Sequence, residues 1–68
     1  MNVSNQIKKF RERDGYSQEF LAEKMFVSRQ TISNWENNKN HPDINGNALL
    51  SEVFEISIDS LIKGDLEK

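Results

Sequence analysis

Residues 27–39, "VSRQTISNWENNK", decide how the chain is read. Only Val27, Ile32 and Trp35 are apolar in this stretch. Ile32 and Trp35 stand three residues apart, the spacing of a buried stripe on a helix, so both are expected in the core. The other positions hold Arg, Gln, Ser, Thr and Asn where a solvated helix face would carry Glu and Lys. An amide-rich face gains from burial only against matching donors and acceptors, and base edges in a DNA major groove present them. Ser28 follows apolar Val27 and precedes Ile32 by four. That is an N-cap with a hydrophobic staple: the serine oxygen accepts from free N–H groups while the apolar pair sets the approach angle.

The same punctuation recurs at Ser17, between Tyr16 and Leu21, and at Ser57, between Ile56 and Leu61. It predicts helices over 18–25, 29–37 and 58–62. An earlier helix over 4–14 rests on Ile7 and Phe10 and ends before Gly15 as a C-terminal cap. A further one over 44–54 rests on Ala48, Leu50, Val53 and Phe54, although its start, "INGN", is made of poor helix formers. "FEISIDS" comes nearest to a strand's alternation, but the capping role of Ser57 outweighs it. The expected fold is therefore all-α, five short helices in a single domain over 1–68, with "GDLEK" as a frayed tail. Helices at 18–25 and 29–37 are separated only by "FVS". So short a link makes them cross steeply, as in a helix-turn-helix, with Leu21, Ala22 and Met25 facing Ile32 and Trp35.

Sixty-eight residues without a cysteine give one small core and no disulfide to support it, so dimerisation is a natural supplement. No apolar run approaches the ~18 residues of a membrane span, and no signal core opens the chain, which makes a cytoplasmic protein the expectation. The net charge of −2 conceals a split. Residues 1–41 carry seven Lys/Arg against five Asp/Glu, and residues 42–68 carry two against six. The amino-terminal part is thus the side suited to nucleic acid. No Ser/His/Asp arrangement, phosphate loop or metal set points to an enzyme, and no cofactor, small-molecule ligand or membrane partner is expected. His41 stands alone, and Asp43, Glu52, Glu55 and Asp59 read as an acidic surface.

The face opposite Ile32 and Trp35 supplies candidates for base reading: Arg29, Gln30, Ser33 and Asn34. Arg matches guanine O6/N7 in a bidentate pair, and Gln or Asn matches adenine N6/N7. Gln18, Ser28, Thr31, Asn37, Asn38 and Lys39 are candidates for the DNA backbone, because they lie near two helix N-termini or offer short donors and one cation. Lys8, Lys9, Arg13 and Lys24 read as solvent charges. Ile58, Leu61, Ile62 and Leu66 are the candidate dimer seam, since the last helix is too short to bury all four in one monomer.

"YSQEFLAEKMFVSRQTISNWENNKNHPD" followed by "EVFEISIDSLIKGD" resembles the phage-repressor-like, Cro/Xre-type helix-turn-helix family over about residues 5–65 without gaps. The resemblance implies the five-helix lambda-repressor-like fold and sequence-specific binding of double-stranded DNA. It also implies transcriptional repression, usually as a homodimer on a pseudo-palindromic operator. By position, Gln18 matches a phosphate-contacting glutamine. Ser28, Arg29, Gln30, Ser33 and Asn34 match base-reading and groove-facing positions. Thr31, Asn38 and Lys39 match backbone contacts, and Arg11 with Glu36 matches an ion pair between the first and third helices. Four residues depart from the family pattern. Phe20 replaces a capping-box Glu, Phe26 and Asn38 replace turn glycines, and Asn47 replaces a Leu. A positive φ at Phe26 would cost about 1–2 kcal/mol. The other reading kept open is an antitoxin-like interaction module that uses Phe20, Phe26 or the last helix to mask a partner protein.

Overall fold

The computed structural model describes residues 3–63. These form α1 (Val3–Arg13), α2 (Gln18–Met25), α3 (Arg29–Glu36), α4 (Ile44–Phe54) and α5 (Ile58–Lys63), with no strand among the described residues. Every helix lies within one residue of its expected bounds at each end. Leu66 of the expected seam, like the "GDLEK" tail, lies outside the described residues.

The serine caps form as the spacing requires. Ser17 Oγ accepts from the N–H of Phe20 at 2.9 Å, Ser28 Oγ from that of Thr31 at 3.1 Å, and Ser57 Oγ from that of Ser60 at 3.0 Å. The staple residues Leu21, Ile32 and Leu61 are fully buried, and Tyr16, Val27 and Ile56 pack against the same core. Asp43 caps α4, its Oδ1 accepting from the Gly46 N–H at 2.8 Å. The poor formers at the start of α4 therefore follow a strong cap. Gly46 is there for space, because a Cβ at this position would stand 2.9 Å from Pro42 Cβ.

The first four helices end alike. A residue with positive φ follows each: Gly15 (73°), Phe26 (61°), Asn38 (63°) and Glu55 (58°). Its N–H and the next one bond back to the last turn, as with Phe26 N to Glu23 O at 3.3 Å and Val27 N to Ala22 O at 3.0 Å. This paired pattern is the Schellman cap, which favours glycine because other residues are strained in the left-handed region. The sequence puts glycine at one of the four. Phe26 thus takes the strained conformation expected of it, and Glu55 takes one that nothing in its residue type announces. In three of the connections the residue after the left-handed one, Tyr16, Val27 or Ile56, also serves as the staple of the next helix. One geometry, repeated, sets how each helix leaves the last.

The core gathers Ile7 and Phe10 of α1, Leu21, Ala22 and Met25 of α2, Ile32 and Trp35 of α3, Leu50 and Phe54 of α4, and Leu61 of α5. Val53, expected among them, is partly buried at its edge. Leu61 corrects the expected dimer seam. It is fully buried in the chain's own core because the Ile56–Leu61 staple turns it inward, while Ile58 (44 % exposed) and Ile62 (47 %) remain outside. Arg13, read as a solvent charge, instead donates from Nη2 to the Phe54 carbonyl at 2.8 Å and so satisfies the end of α4.

Candidate nucleic-acid interface

The third helix is fixed at three sides. Ile32 and Trp35 anchor it from below, Ser28 starts it, and Glu36 ties its last turn to the two helices behind. Arg11 Nε and Nη2 donate to the two Glu36 oxygens at 2.7 and 3.2 Å, and Arg11 Nη1 donates to the Tyr16 carbonyl at 2.8 Å. The hydrogen bond to Glu36, aided by its charge, raises the Arg11 pKa above the ordinary guanidinium value. A raised pKa stabilises the fold below that ordinary value and is lost only above it, so Arg11 stays a cation throughout the neutral range. The expected ion pair is present, and it carries a third member. Gln18 Nε2 donates to Glu36 Oε1 at 3.1 Å, so the first residue of α2 is held by the last of α3.

With its buried side fixed, α3 shows solvent an ordered polar face. Gln30 Nε2 donates to Asn34 Oδ1 at 3.0 Å, Asn37 Nδ2 donates to Ser33 Oγ at 3.3 Å, and the Ser28 and Thr31 hydroxyls lie 3.0 Å apart. Arg29 and Gln30 are exposed, and Ser33 and Asn34 are half-buried beside them. The Arg29 guanidinium makes no hydrogen bond or ion pair among the described residues, which leaves its fork open. An α-helix with its side chains is ~10–12 Å across, which the ~12 Å width of a major groove admits.

The backbone candidates stand at the ends of α3 and at the start of α2. Ser28 and Thr31 stand at the N-terminus of α3. Asn37, Asn38 and Lys39, all exposed, follow its C-terminal end. Gln18 is half-buried and opens α2, with one amide hydrogen already given to Glu36. Side-chain bonds link several of the candidates to one another or to α3: Ser28 to Thr31, Gln30 to Asn34, Asn37 to Ser33 and Gln18 to Glu36. The Gln30–Asn34 spacing of four was visible in the sequence as a pair able to bond along a helix. The bond from Gln18 to Glu36 spans 18 residues and had no local signal.

Two helices, α2 and α3, joined by only three residues and packed closely, with the second presenting a polar face, define a DNA-binding helix-turn-helix domain. The chain belongs to the Helix-turn-helix family of the Cro/C1 type, whose sequence pattern matches residues 7–61. It is 34 % identical over 65 residues to the HTH-type transcriptional activator BcrR of Enterococcus faecalis, covering 96 % of this chain and 32 % of BcrR. Among solved structures it resembles the P22 c2 repressor in complex with a synthetic operator, with a TM-score of 0.85 and 29 % identity over 96 % of this chain and 98 % of the repressor. SinR, a master regulator of biofilm formation, in complex with DNA gives a TM-score of 0.79 and 33 % identity over 87 % of this chain and 95 % of that one. The chain spans about a third to a half of the length of the curated relatives it matches.

Proposed function

We propose that residues 1–68 act as one sequence-specific domain for double-stranded DNA, and that the protein regulates transcription in the cytoplasm, by occupying DNA and not by catalysis. The observation that carries this reading is the exposed face of α3, with Arg29, Gln30, Ser33 and Asn34 turned away from the Ile32 and Trp35 anchors. Arg29 and the two amides read base edges, while Gln18, Ser28, Thr31, Asn37, Asn38 and Lys39 hold the DNA backbone. The relatives bear the names of transcription regulators, which does not favour the antitoxin-like alternative. They include both an activator and repressors, so the sign of regulation follows from where the bound site lies relative to a promoter. Repression by excluding polymerase is the simpler outcome for a site that overlaps a promoter. Among the described residues no helix is long and apolar enough to cross a membrane.

Binding as a homodimer to a pseudo-palindromic operator is part of the proposal. Ile58 and Ile62 lie four apart on the exposed side of α5 and supply an apolar contact after Leu61 is assigned to the core. Footprinting on genomic fragments, with the mass of the complex measured in parallel, tests both points. Two protected half-sites and two chains per duplex support the proposal. Protection without any preferred fragment overturns sequence-specific binding, and one chain per site overturns the dimer.

A further inference from the structure

We propose that Asn34 is a positioning residue for Gln30, and that the two amides read DNA as a single coupled unit. The inference rests on the DNA-binding reading above and adds how specificity is set within it. Gln30 is exposed on the first turn of α3, with a long side chain that would otherwise sample many orientations. Asn34 is half-buried one turn later, has a shorter side chain, and accepts from Gln30 Nε2 at 3.0 Å. The more confined residue therefore holds the freer one.

The bond also fixes polarity. A primary amide offers two N–H donors on one side and an acceptor oxygen on the other. With Gln30 Nε2 turned to Asn34, Gln30 directs its oxygen outward and Asn34 directs its NH2 group outward. Rotating either amide alone would set two oxygens, or two NH2 groups, against each other. Donor and acceptor can exchange only if both amides turn together. Gln30 keeps its oxygen and its second N–H for the adenine N6/N7 edge, while Asn34 presents donors to an acceptor on the neighbouring base or phosphate. Ordering both side chains before DNA arrives lowers the conformational entropy lost on binding.

The alternative is that each amide reads its own base pair independently. Selection of bound duplexes from a random-sequence pool, run in low salt with Gln30→Ala, Asn34→Ala, the double variant and Asn34→Asp, separates the two. The variants change only Gln30 and Asn34, neither of which belongs to the buried core, and circular dichroism of each checks that the helices remain. Coupling predicts that Asn34→Ala weakens preference at the base pair read by Gln30 about as much as Gln30→Ala does. A bidentate contact of this kind discriminates by about five- to a hundredfold. The double variant should lose no more at that pair than either single one. Asp at position 34 can only accept, so it holds Gln30 in the same polarity. Asn34→Asp should therefore keep the preference at the Gln30 pair while overall affinity falls, because its charge opposes phosphate. Full preference at that pair in Asn34→Ala, or losses that add in the double variant, would overturn the coupled unit. A wild-type chain that enriches no sequence would overturn the DNA reading itself, and the amide pair with it.

Discussion

Arg11 and Glu36, 25 residues apart, form a two-pronged ion pair whose carboxylate side is almost wholly withdrawn from solvent, at 4 % exposure. Glu36 is the last residue of α3, so this pair fixes the angle at which the candidate reading face is presented. Removing one partner leaves a charge in a site arranged for two. Glu36→Ala should destabilise the domain by about 2–4 kcal/mol, near the lower part of the range for broken buried pairs because Arg11 keeps some access to water. Glu36→Gln retains an acceptor for Gln18 but lacks the charge, and should lie between. Urea unfolding followed by Trp35 fluorescence measures both, and equal stability of all three proteins would remove the pair from the account.

The strained caps predict gains. Phe26 is 87 % exposed and Glu55 is exposed, so replacing either by Gly sacrifices little packing and relieves a positive φ. The relief of about 1–2 kcal/mol is partly offset by the flexibility of Gly in the unfolded chain. Each of Phe26→Gly and Glu55→Gly should stabilise by about 0.5–1 kcal/mol, a rise of several degrees in Tm for a domain of this size. Phe26→Ala, which keeps the strain, should show no such gain. Thermal unfolding of the three variants decides the point.

Gly46 predicts the opposite sign. Alanine is the better helix former by about 1 kcal/mol, so propensity alone would make Gly46→Ala stabilising. Its Cβ would meet Pro42 Cβ at 2.9 Å and the capping Asp43 Oδ1 at 3.3 Å, and neither the proline ring nor the cap yields easily. Overpacking of this kind costs about 1–3 kcal/mol, so the net change should be destabilising by up to about 2 kcal/mol. Thermal unfolding measures the change, and a stabilised protein would contradict the packing argument.

These cases also show what was legible in the sequence. Three of the five helices could be read because serine caps and apolar staples are local signals, each contained within six residues, and the other two because their apolar positions recur at helical spacing. Gly46 looked like a weakness of α4 because its purpose lies in how closely the chain at Pro42 and Asp43 folds back over it. Glu55 gave no sign of its conformation, since the left-handed cap is imposed by the chain around it. Leu61 was assigned to a dimer seam by counting apolar residues on a short helix, while the staple that turns it inward carried the better information. On the interface side, the reading candidates followed from residue type and helical face. Of the bonds that arrange them, Gln30 to Asn34 had a signal in its spacing of four, whereas Gln18 to Glu36 needed side-chain geometry.

Base reading and phosphate holding predict different losses. Arg29→Ala should cost about 1–3 kcal/mol of binding and relax preference at one base pair. Lys39→Ala should weaken binding to all sequences alike and reduce the salt slope by about one. Fluorescence-anisotropy titrations at several salt concentrations, with matched and mismatched duplexes, give both quantities. A uniform loss for Arg29→Ala would reassign it to the backbone.

The central claim is that the α3 face carries sequence information, and its most direct test is selection of bound duplexes from random DNA by the wild-type chain at two salt concentrations. Enrichment of a pseudo-palindromic consensus that persists at the higher salt while total binding falls is the expected result. Binding that vanishes with salt and enriches no sequence would contradict it.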